Sequence, residues 1–454
     1  MIDTKAQLKL LAEAFRALEA GFEGLDEGDG DVKRMRAVLL AAAERLHDNY
    51  PYHHPLYIGQ MLKPPHPVAR LAYALAMSLN PNNHALDGGR ASSAMEKEAV
   101  AGIARMFGWE THLGHLCGGG TMANFEALWI ARELRPALAV AASTQAHYTH
   151  ARLSAVLDMP YKSIAVDASG RMDLKALEQT LGEGLVGTVV ATMGTTAAGV
   201  VDPLPEILEL ARRTGARVHA DAAYGGYFSL ASNLEPATRR AFEAMSDVDS
   251  IVIDPHKHGL QPYGCGCVLF RDPAVGRLYK HDSPYTYFSS EELHLGEISL
   301  ECSRPGAAAV ALWTTMEMLP LVYGGEFAQM LEAGRAGALE LHARLVADFG
   351  DRFAPIFAPE LDIVVWAVRA KSASESSGLA YDIFDAAAEH DLHLAVATFP
   401  RAMVESCGAI ETWDESAVVC LRACVMKPEH REWMDEITLR LRRAADEVAG
   451  RHGA

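Results

Sequence analysis

The sequence lacks any long hydrophobic run and any excess of basic residues. Half of its 454 residues are hydrophobic, yet no stretch approaches the roughly 20 consecutive apolar residues of a membrane-spanning helix. The 41 Lys and Arg residues are outnumbered by 59 Asp and Glu residues, which gives a formal charge of −18. This acidity argues against nucleic acid or an anionic membrane as a partner.

Cysteine is also scarce. The seven cysteines are irregularly spaced and do not form a disulfide framework. Two pairs, Cys265 with Cys267 and His53 with His54, could suggest a metal site. Small buried thiols explain the first pair, and adjacent side chains that diverge explain the second, so we expect no metal. The first residues lack a basic segment followed by an apolar core, so we expect no secretory signal and a cytoplasmic protein.

Two apolar runs end in residues that carry chemistry. Residues 216–220 lead to Asp221, and residues 249–253 lead to Asp254 and, three positions later, Lys257. Both runs predict buried strands, and α/β folds bind ligands at the carboxyl ends of their strands. A lysine and a carboxylate there suit pyridoxal phosphate (PLP): the amine holds the cofactor as a Schiff base, and the carboxylate keeps the pyridine nitrogen protonated. The alternative is that both are ordinary strand-end residues.

The sequence around these residues resembles a known family. The runs His-Ala-Asp-Ala-Ala-Tyr from His219 and Pro-His-Lys-x-Gly-Leu-x-Pro-x-Gly-Cys-Gly from Pro255 are similar to those of group II PLP-dependent amino-acid decarboxylases. This family includes aromatic-amino-acid, glutamate and tyrosine decarboxylases. The resemblance implies that Lys257 binds the cofactor covalently and Asp221 holds the ring nitrogen. It also implies that Ala223 packs against the ring.

The same resemblance implies the fold and the phosphate contacts. The fold is PLP fold type I, with a mainly parallel seven-stranded sheet in a large domain and a smaller α/β C-terminal domain. A Gly-rich turn entering a helix offers free N–H groups and a positive dipole to an anion, although a flexible turn explains the glycines equally well. With the resemblance, Gly119, Gly120 and Thr121 are the expected phosphate ligands, and His256 also touches the phosphate.

Further residues follow from shorter matches. His147, in Gln-Ala-His, matches the family position where an imidazole stacks over the cofactor ring, whereas we assign no role to His150. Stacking clamps the ring plane and places a titratable group near the reacting bonds. Thr195, in a Gly-Thr-Thr turn, matches a contact to the cofactor and the substrate carboxylate.

The sequence is less specific about the residues that contact the substrate. Tyr57 and Gln60 lie in a segment similar to one that lines the family's pocket, and Arg422 is at a family arginine position. Arg422 either helps to hold a carboxylate or pairs internally. In the family, a loop after the lysine strand brings a tyrosine that helps to protonate the substrate carbon. Tyr287 is favoured over Tyr285 for this role, and packing at the domain junction is the alternative for both.

Breaks in the sequence predict three regions. These are an N-terminal helical segment over residues 1–80, a large PLP-binding α/β domain over 81–320 and a small α/β domain over 321–454. Within the large domain, Ser93 and Glu96 predict a capping box that opens a helix. The fold-type resemblance and the N-terminal helix pair predict a homodimer.

The predicted reaction is α-decarboxylation of an L-amino acid to an amine and carbon dioxide. A PLP-dependent carbon–carbon lyase or a decarboxylating aldehyde synthase is an alternative on the same scaffold. A catalytically silent PLP-binding protein is the alternative outside enzymes. His258 stands where aromatic-acid decarboxylases usually have tryptophan, so the sequence leaves the choice among aromatic, acidic and basic substrates open.

Overall fold

A seven-stranded sheet forms the centre of the molecule. The computed structural model describes residues 3–22, 30–280 and 293–452. The strands of this sheet are β1 (Leu113–Cys117), β2 (Ala139–Ser143), β3 (Tyr161–Ile164), β4 (Val186–Thr192), β5 (Arg217–Asp221), β6 (Ser250–Ile253) and β7 (Gly266–Phe270). They lie in the order β1-β7-β6-β5-β4-β2-β3, and only β7 runs antiparallel to its neighbours.

Helices cover both faces of this sheet, which is why its strands read as continuous apolar runs. Every residue of β2, β4, β6 and β7 is buried. Strands of a parallel sheet buried on both faces have this composition. The helices between the strands are α5 (Gly120–Leu134), α6 (Thr149–Val156), α7 (Leu174–Gly182), α8 (Leu204–Thr214) and α9 (Pro236–Glu243). The predicted mainly parallel seven-stranded sheet is confirmed.

Three further helices pack together beside the sheet: α3 (Pro67–Met77), α4 (Leu86–Met106) and α10 (Gly306–Met318). The predicted capping box is wrong, because α4 begins at Leu86 and Ser93 lies inside it. Glu96 instead accepts hydrogen bonds from the backbone N–H of Leu116 at 2.9 Å and from Arg304 at 2.8 Å. The carboxylate of Glu96 is therefore part of a buried hydrogen-bond network between distant segments and does not cap a helix.

The C-terminal part is a second α/β unit. Its four-stranded antiparallel sheet has the order β11 (Ala395–Pro400), β13 (Ala417–Cys424), β9 (Ile363–Val368) and β8 (Phe353–Pro355). A separate parallel pair joins β10 (Ala370–Ser372) to β12 (Ile410–Thr412). Its helices are α11 (Glu326–Asp348), α12 (Ala373–Glu389), α13 (Arg401–Val404) and α14 (Met434–His452). The seven-stranded sheet falls inside the predicted range 81–320, and the two C-terminal sheets fall inside 321–454. The boundaries of these ranges stay a prediction.

Short 3₁₀ helices connect several of these elements. They are Gly226–Leu230, Ala244–Asp247, Pro273–Leu278, Leu295–Ile298, Glu405–Cys407 and Pro428–Arg431. In the described ranges, no helix combines the length and the apolar character needed to cross a membrane.

The N-terminal helices differ from the rest of the fold. Neither α1 (Thr4–Glu19) nor α2 (Val32–Leu46) has a buried residue. Helix α2 exposes Met35, Val38, Leu39 and Leu46, which recur at helical spacing on one side. An apolar helix face exposed in this way is typical of a surface that another chain covers.

Candidate active site

A cavity of about 750 Å³ lies at the carboxyl ends of the parallel strands. This position is where open α/β sheets bind ligands, and the volume is in the usual range for ligand sites. The lining residues come from the segments that follow β1, β2, β4, β5 and β6. They include Gly118, Gly119, Gly120, Thr121, His147, Thr196, Asp221, Ala223, Asp254, His256 and Lys257.

The Gly-rich turn brings backbone close to the end of β6. Gly119, before helix α5, has a φ of 146°, a conformation that favours glycine. A Cβ atom on Gly120 would lie 2.7 Å from Oδ2 of Asp254, so no larger residue fits there without movement. The first N–H groups of α5 have no partner within the helix and can bind an anion.

Asp221, at the end of β5, is surrounded by hydrogen-bond donors. Its Oδ2 atom accepts from Nε2 of His150 at 2.8 Å and from Nδ2 of Asn124 at 3.4 Å. Its Oδ1 atom accepts from the backbone N–H of Ala223 at 3.2 Å. Burial acts to raise the pKa of Asp221, but other effects, with the hydrogen bond from His150 the largest of them, outweigh it, and the pKa lies well below its usual value. A carboxylate held ionised in this way is suited to pair with a cationic ring nitrogen.

Lys257 and Asp254 form an ion pair at the end of β6. The Nζ atom of Lys257 is 3.1 Å from Oδ2 of Asp254, and the lysine side chain is 21% exposed. The other oxygen of Asp254 is buried and has no hydrogen-bond partner among the described residues. Next to the lysine, Nδ1 of His256 donates to the carbonyl oxygen of Cys265 at 2.7 Å. The Nε2 atom of His256 lies 3.6 Å from Oδ2 of Asp254 and borders the cavity.

His147 follows β2 and is half-buried at the cavity wall. Its Nδ1 atom accepts a hydrogen bond from the backbone N–H of Thr149 at 3.3 Å, so any proton of the neutral ring is on Nε2. Burial lowers the pKa of His147, which favours the neutral ring at neutral pH. Ala223 also lines the cavity with a small methyl group. The roles predicted for His147 and Ala223 stay predictions.

Other predicted residues lie away from the cavity wall. The hydroxyl of Thr195 is buried and accepts from the backbone N–H of Val200 at 3.1 Å, while its neighbour Thr196 lines the cavity. The guanidinium of Arg422 donates to the carbonyl oxygens of Thr196 at 2.7 Å, Ala197 at 2.9 Å and Gly59 at 3.2 Å. These contacts correspond to internal pairing, the second alternative for this arginine.

The residues predicted to contact the substrate also do not line the cavity. Tyr57 is 5% exposed and Gln60 is exposed, and neither lines the cavity. Tyr285 and Tyr287 fall outside the described residues. The described ranges contain no group of three or more His, Cys, Asp or Glu side chains placed to hold a metal ion.

Sequence reasoning did not assign roles to His150 and Asn124, the two side chains that contact Asp221. The available signal for His150 was its closeness in sequence to the cavity histidine His147, which it follows by three positions. Asn124 is the fifth residue of α5, about one turn after Gly120. Both contacts depend on how α5 and α6 pack over β5.

The site fits pyridoxal phosphate. The Gly-rich turn at the start of α5 suits the phosphate, and Asp221 suits the ring nitrogen. Lys257 suits covalent attachment, and the unpartnered buried oxygen of Asp254 leaves room for a donor there. A profile of the "Pyridoxal-dependent decarboxylase conserved domain" matches residues 126–323. The resemblance predicted from the sequence is therefore confirmed by a match to the pyridoxal-dependent decarboxylase family over these residues.

Relatives with known names agree with this family. The L-tyrosine decarboxylase of Enterococcus faecium is 27% identical over 76% of this chain and 74% of its own length. A probable L-tyrosine/L-aspartate decarboxylase of Methanothermobacter thermautotrophicus is 29% identical over 57% of this chain and 70% of its own. The crystal structure of Oryza sativa TDC with PLP and tryptamine has a TM-score of 0.76 and 17% identity, over 98% of both chains, and this likeness shows the fold.

The predicted reaction class is therefore confirmed. The chain is a PLP-dependent amino-acid decarboxylase, a carboxy-lyase. The carbon–carbon lyase, the aldehyde synthase and the silent PLP-binding protein are not favoured, because the curated relatives are named as decarboxylases.

Proposed function

We propose that this decarboxylase uses Lys257 as the covalent anchor of its cofactor and Asp221 as the partner of the ring nitrogen. The observation that supports the proposal is the pairing of the ends of β5 and β6. These neighbouring strands bring Asp221 and Lys257 to one cavity beside the Gly-rich turn. The phosphate then binds at Gly119, Gly120 and Thr121, with His256 beside it.

Each side chain has a defined task in this proposal. When bound, the cofactor accepts the electron pair released as the bond between Cα and the carboxylate breaks. Asp221 stays ionised and holds a proton at the ring nitrogen. The amine of Lys257 would be the attachment point that the substrate amine replaces, and His147 would cover the ring with its Nε2 proton available. His147 is therefore a candidate donor to Cα beside Tyr287 and Tyr285, whose roles stay predictions.

We further propose that the substrate has an uncharged side chain, with L-tyrosine as the first candidate. The described lining residues include Phe125, Met122 and Tyr263, and they include no arginine and no lysine other than Lys257. A buried carboxylate on the substrate side chain would need a cationic partner, and Lys257 is committed to the cofactor. An aromatic ring would instead gain from apolar contacts.

The test supplies PLP to the purified protein with L-tyrosine, L-aspartate or L-2,4-diaminobutyrate in turn. We expect carbon dioxide and the matching amine, with turnover fastest on L-tyrosine, and no product from Lys257→Ala. Aldehyde, ammonia and oxygen uptake are measured in the same reactions. Faster turnover of L-aspartate would contradict the substrate proposal alone. Aldehyde in place of amine, or full activity of Lys257→Ala, would contradict the assigned chemistry.

A homodimer is also part of the proposal. The exposed apolar side chains of α2 need a cover, and a second copy of the chain satisfies this by two-fold symmetry. Light scattering at low concentration should give twice the mass of one chain, and an active monomer would contradict it. We also propose a cytoplasmic enzyme without a nucleic-acid partner, which the charge of −18 supports. Cell fractionation and a nucleic-acid binding assay test these two points.

A further inference from the structure

His150 makes the shortest contact to Asp221, and the proposed function gives it no task. It lies in the first turn of α6, and its side chain is fully buried, with 0% exposed. Its Nε2 atom is 2.8 Å from Oδ2 of Asp221. The other ring nitrogen, Nδ1, is buried and has no hydrogen-bond partner in the described part of the chain. A polar ring buried at that cost is expected to have a purpose.

The direction of this hydrogen bond follows from the chemistry of the two groups. An ionised carboxylate only accepts hydrogen bonds, so Nε2 of His150 must donate. A second proton, on Nδ1, would find no acceptor among the described residues. The site is therefore arranged for a ring that donates through Nε2 alone, toward a carboxylate that stays charged. Bonds of this kind, with one charged partner, are stronger than those between neutral groups.

Asn124, the second side-chain donor to Asp221, is itself oriented by a hydrogen bond. The Oδ1 atom of Asn124 accepts from Nε2 of His219 at 2.8 Å, which turns the amide N–H groups of Asn124 toward Asp221. The other ring nitrogen of His219 is 2.8 Å from the hydroxyl oxygen of Ser250. A chain of buried groups thus runs from β6 through β5 to the carboxylate. Burial lowers the pKa of His219 to about 3, so this ring is neutral near pH 7.

We propose that His150 is a positioning residue that keeps Asp221 ionised and aimed at the ring nitrogen of the cofactor. The proposal rests on the proposed function and deepens it. The carboxylate shares one proton with the ring nitrogen. Without donation from His150, the proton affinity of Asp221 increases, and the shared proton moves to the carboxylate. The ring nitrogen then loses the positive charge that stabilises the reaction.

Other titratable groups near His150 do not replace this donor. His147, on the segment before α6, has its Nδ1 atom engaged by the backbone N–H of Thr149. The ring of His219, on β5, lies 6.4 Å from the ring of His150 between centroids and donates to Asn124. Lys257, beyond β6, pairs with Asp254. Among the described residues, only His150 and Asn124 donate side-chain hydrogen bonds to the carboxylate of Asp221.

The test compares His150→Phe, which removes the donor, with His150→Gln, which can place an amide N–H near the position of Nε2. The matched control is His115→Phe. His115 is also buried and lies 2.9 Å from a buried carboxylate, that of Glu126, but it does not line the cavity. The measurements use the enzyme with PLP labelled at its ring nitrogen, so that nitrogen NMR reports protonation there. Steady-state kinetics on the best substrate accompany them.

For His150→Phe we expect loss of the ring-nitrogen proton and a fall in kcat of about ten- to a hundredfold, with KM nearly unchanged. His150→Gln should restore most of both. His115→Phe should keep the ring nitrogen protonated even if it lowers Tm. A protonated ring nitrogen in His150→Phe, with the parental kcat, would overturn the proposal.

A measurement on the unaltered holoenzyme avoids any failure of the variants to fold. The imidazole nitrogens of His150 should show a proton on Nε2 and none on Nδ1, and a bare Nε2 would overturn the proposal. Failure of the proposed function can be distinguished from failure of the His150 proposal, because the parent enzyme would then hold no cofactor on Lys257. In that case the ring-nitrogen signal of the parent would be that of free PLP.

Discussion

The ends of β5 and β6 each carry a buried carboxylate beside the same cavity, but the two are held differently. Asp221, on β5, is 5% exposed and accepts from His150, Asn124 and the backbone of Ala223. Asp254, directly after β6, is 2% exposed, and its side chain has Lys257 as its nearest charged partner at 3.1 Å. One of its oxygens has no hydrogen-bond partner within the described ranges.

The difference indicates that Asp221 keeps its charge and its partners throughout the reaction, whereas Asp254 loses its partner. The partner of a ring nitrogen must stay ionised throughout the reaction, so three donors that do not react hold Asp221. Lys257 must give up its ammonium proton before its amine can form a covalent bond. An ion pair that depends on this lysine is therefore temporary, and Asp254 is the side chain that loses its partner. Substitutions at the two strand ends should have correspondingly different effects.

Asp221→Asn should have the largest effect. The amide cannot carry the negative charge that keeps the ring nitrogen protonated, and one oriented electrostatic partner contributes about 3–4 kcal/mol to a transition state. We expect kcat to fall by roughly a hundred- to a thousandfold while the cofactor is retained by the turn before α5. Kinetics and cofactor content, measured on the same preparation, test this. A near-normal kcat would refute the role of Asp221.

Gly120→Ala probes how closely the turn approaches β6. The new Cβ atom would lie 2.7 Å from Oδ2 and 3.1 Å from Oδ1 of Asp254, so the turn or the carboxylate must move. Overpacking of this kind costs about 1–3 kcal/mol, and we expect PLP to bind about tenfold or more weakly. Gly182→Ala, where a Cβ would meet nothing within 4 Å, is the control. Equal PLP affinity in the two variants would show that the turn does not hold the phosphate.

Asp254→Asn should affect turnover little, by less than about tenfold, because the ion pair is absent once Lys257 holds the cofactor. Its effect should fall on the cofactor-free protein, where the ammonium of Lys257 loses its partner. The increase in Tm on adding PLP should then be larger in the variant than in the parent. An equal increase in Tm, together with a loss of turnover as large as that of Asp221→Asn, would remove the distinction between the two strand ends.

The last effect is expected on stability rather than on turnover, in the dependence of stability on pH. Burial lowers the pKa of His219 to about 3, against an ordinary value of 6.5. Between these values the unfolded chain binds a proton that the folded chain does not. Stability from this group is therefore complete above pH 6.5 and decreases as pH falls toward 3, by about 1.4 kcal/mol per pH unit.

The variant His219→Gln tests this dependence. Its free energy of unfolding, measured with denaturant over that pH range, should decrease with falling pH less steeply than that of the parent. The difference between the two slopes should correspond to about one bound proton. Identical slopes in the two proteins would mean that His219 is not held neutral in the folded state.

The sequence predicted those parts of the site that depend on local order. Apolar runs ending at Asp221 and Asp254 located β5 and β6, and the glycines before Thr121 located the start of α5. Contacts between distant segments could not be predicted in the same way. The Ser93–Glu96 pattern matches the sequence of a capping box, but Ser93 lies inside α4 and Glu96 is engaged by Arg304, which is 208 positions away.

The same limit applies to side-chain direction. Thr195 and Thr196 are adjacent, and only the turn geometry decides that Thr196 lines the cavity while Thr195 bonds to Val200. His150 is 71 positions from Asp221, and their contact requires α6 to pack over β5. A pattern in one segment carries no information on such packing.

The most direct test of the account is to find the lysine that carries the cofactor. The purified enzyme is loaded with PLP, reduced with borohydride, digested, and its peptides are analysed by mass spectrometry. We predict the reduced cofactor on the peptide that contains Lys257, and no labelled peptide from Lys257→Ala. Recovery of the label on a different lysine in the parent enzyme would contradict the account.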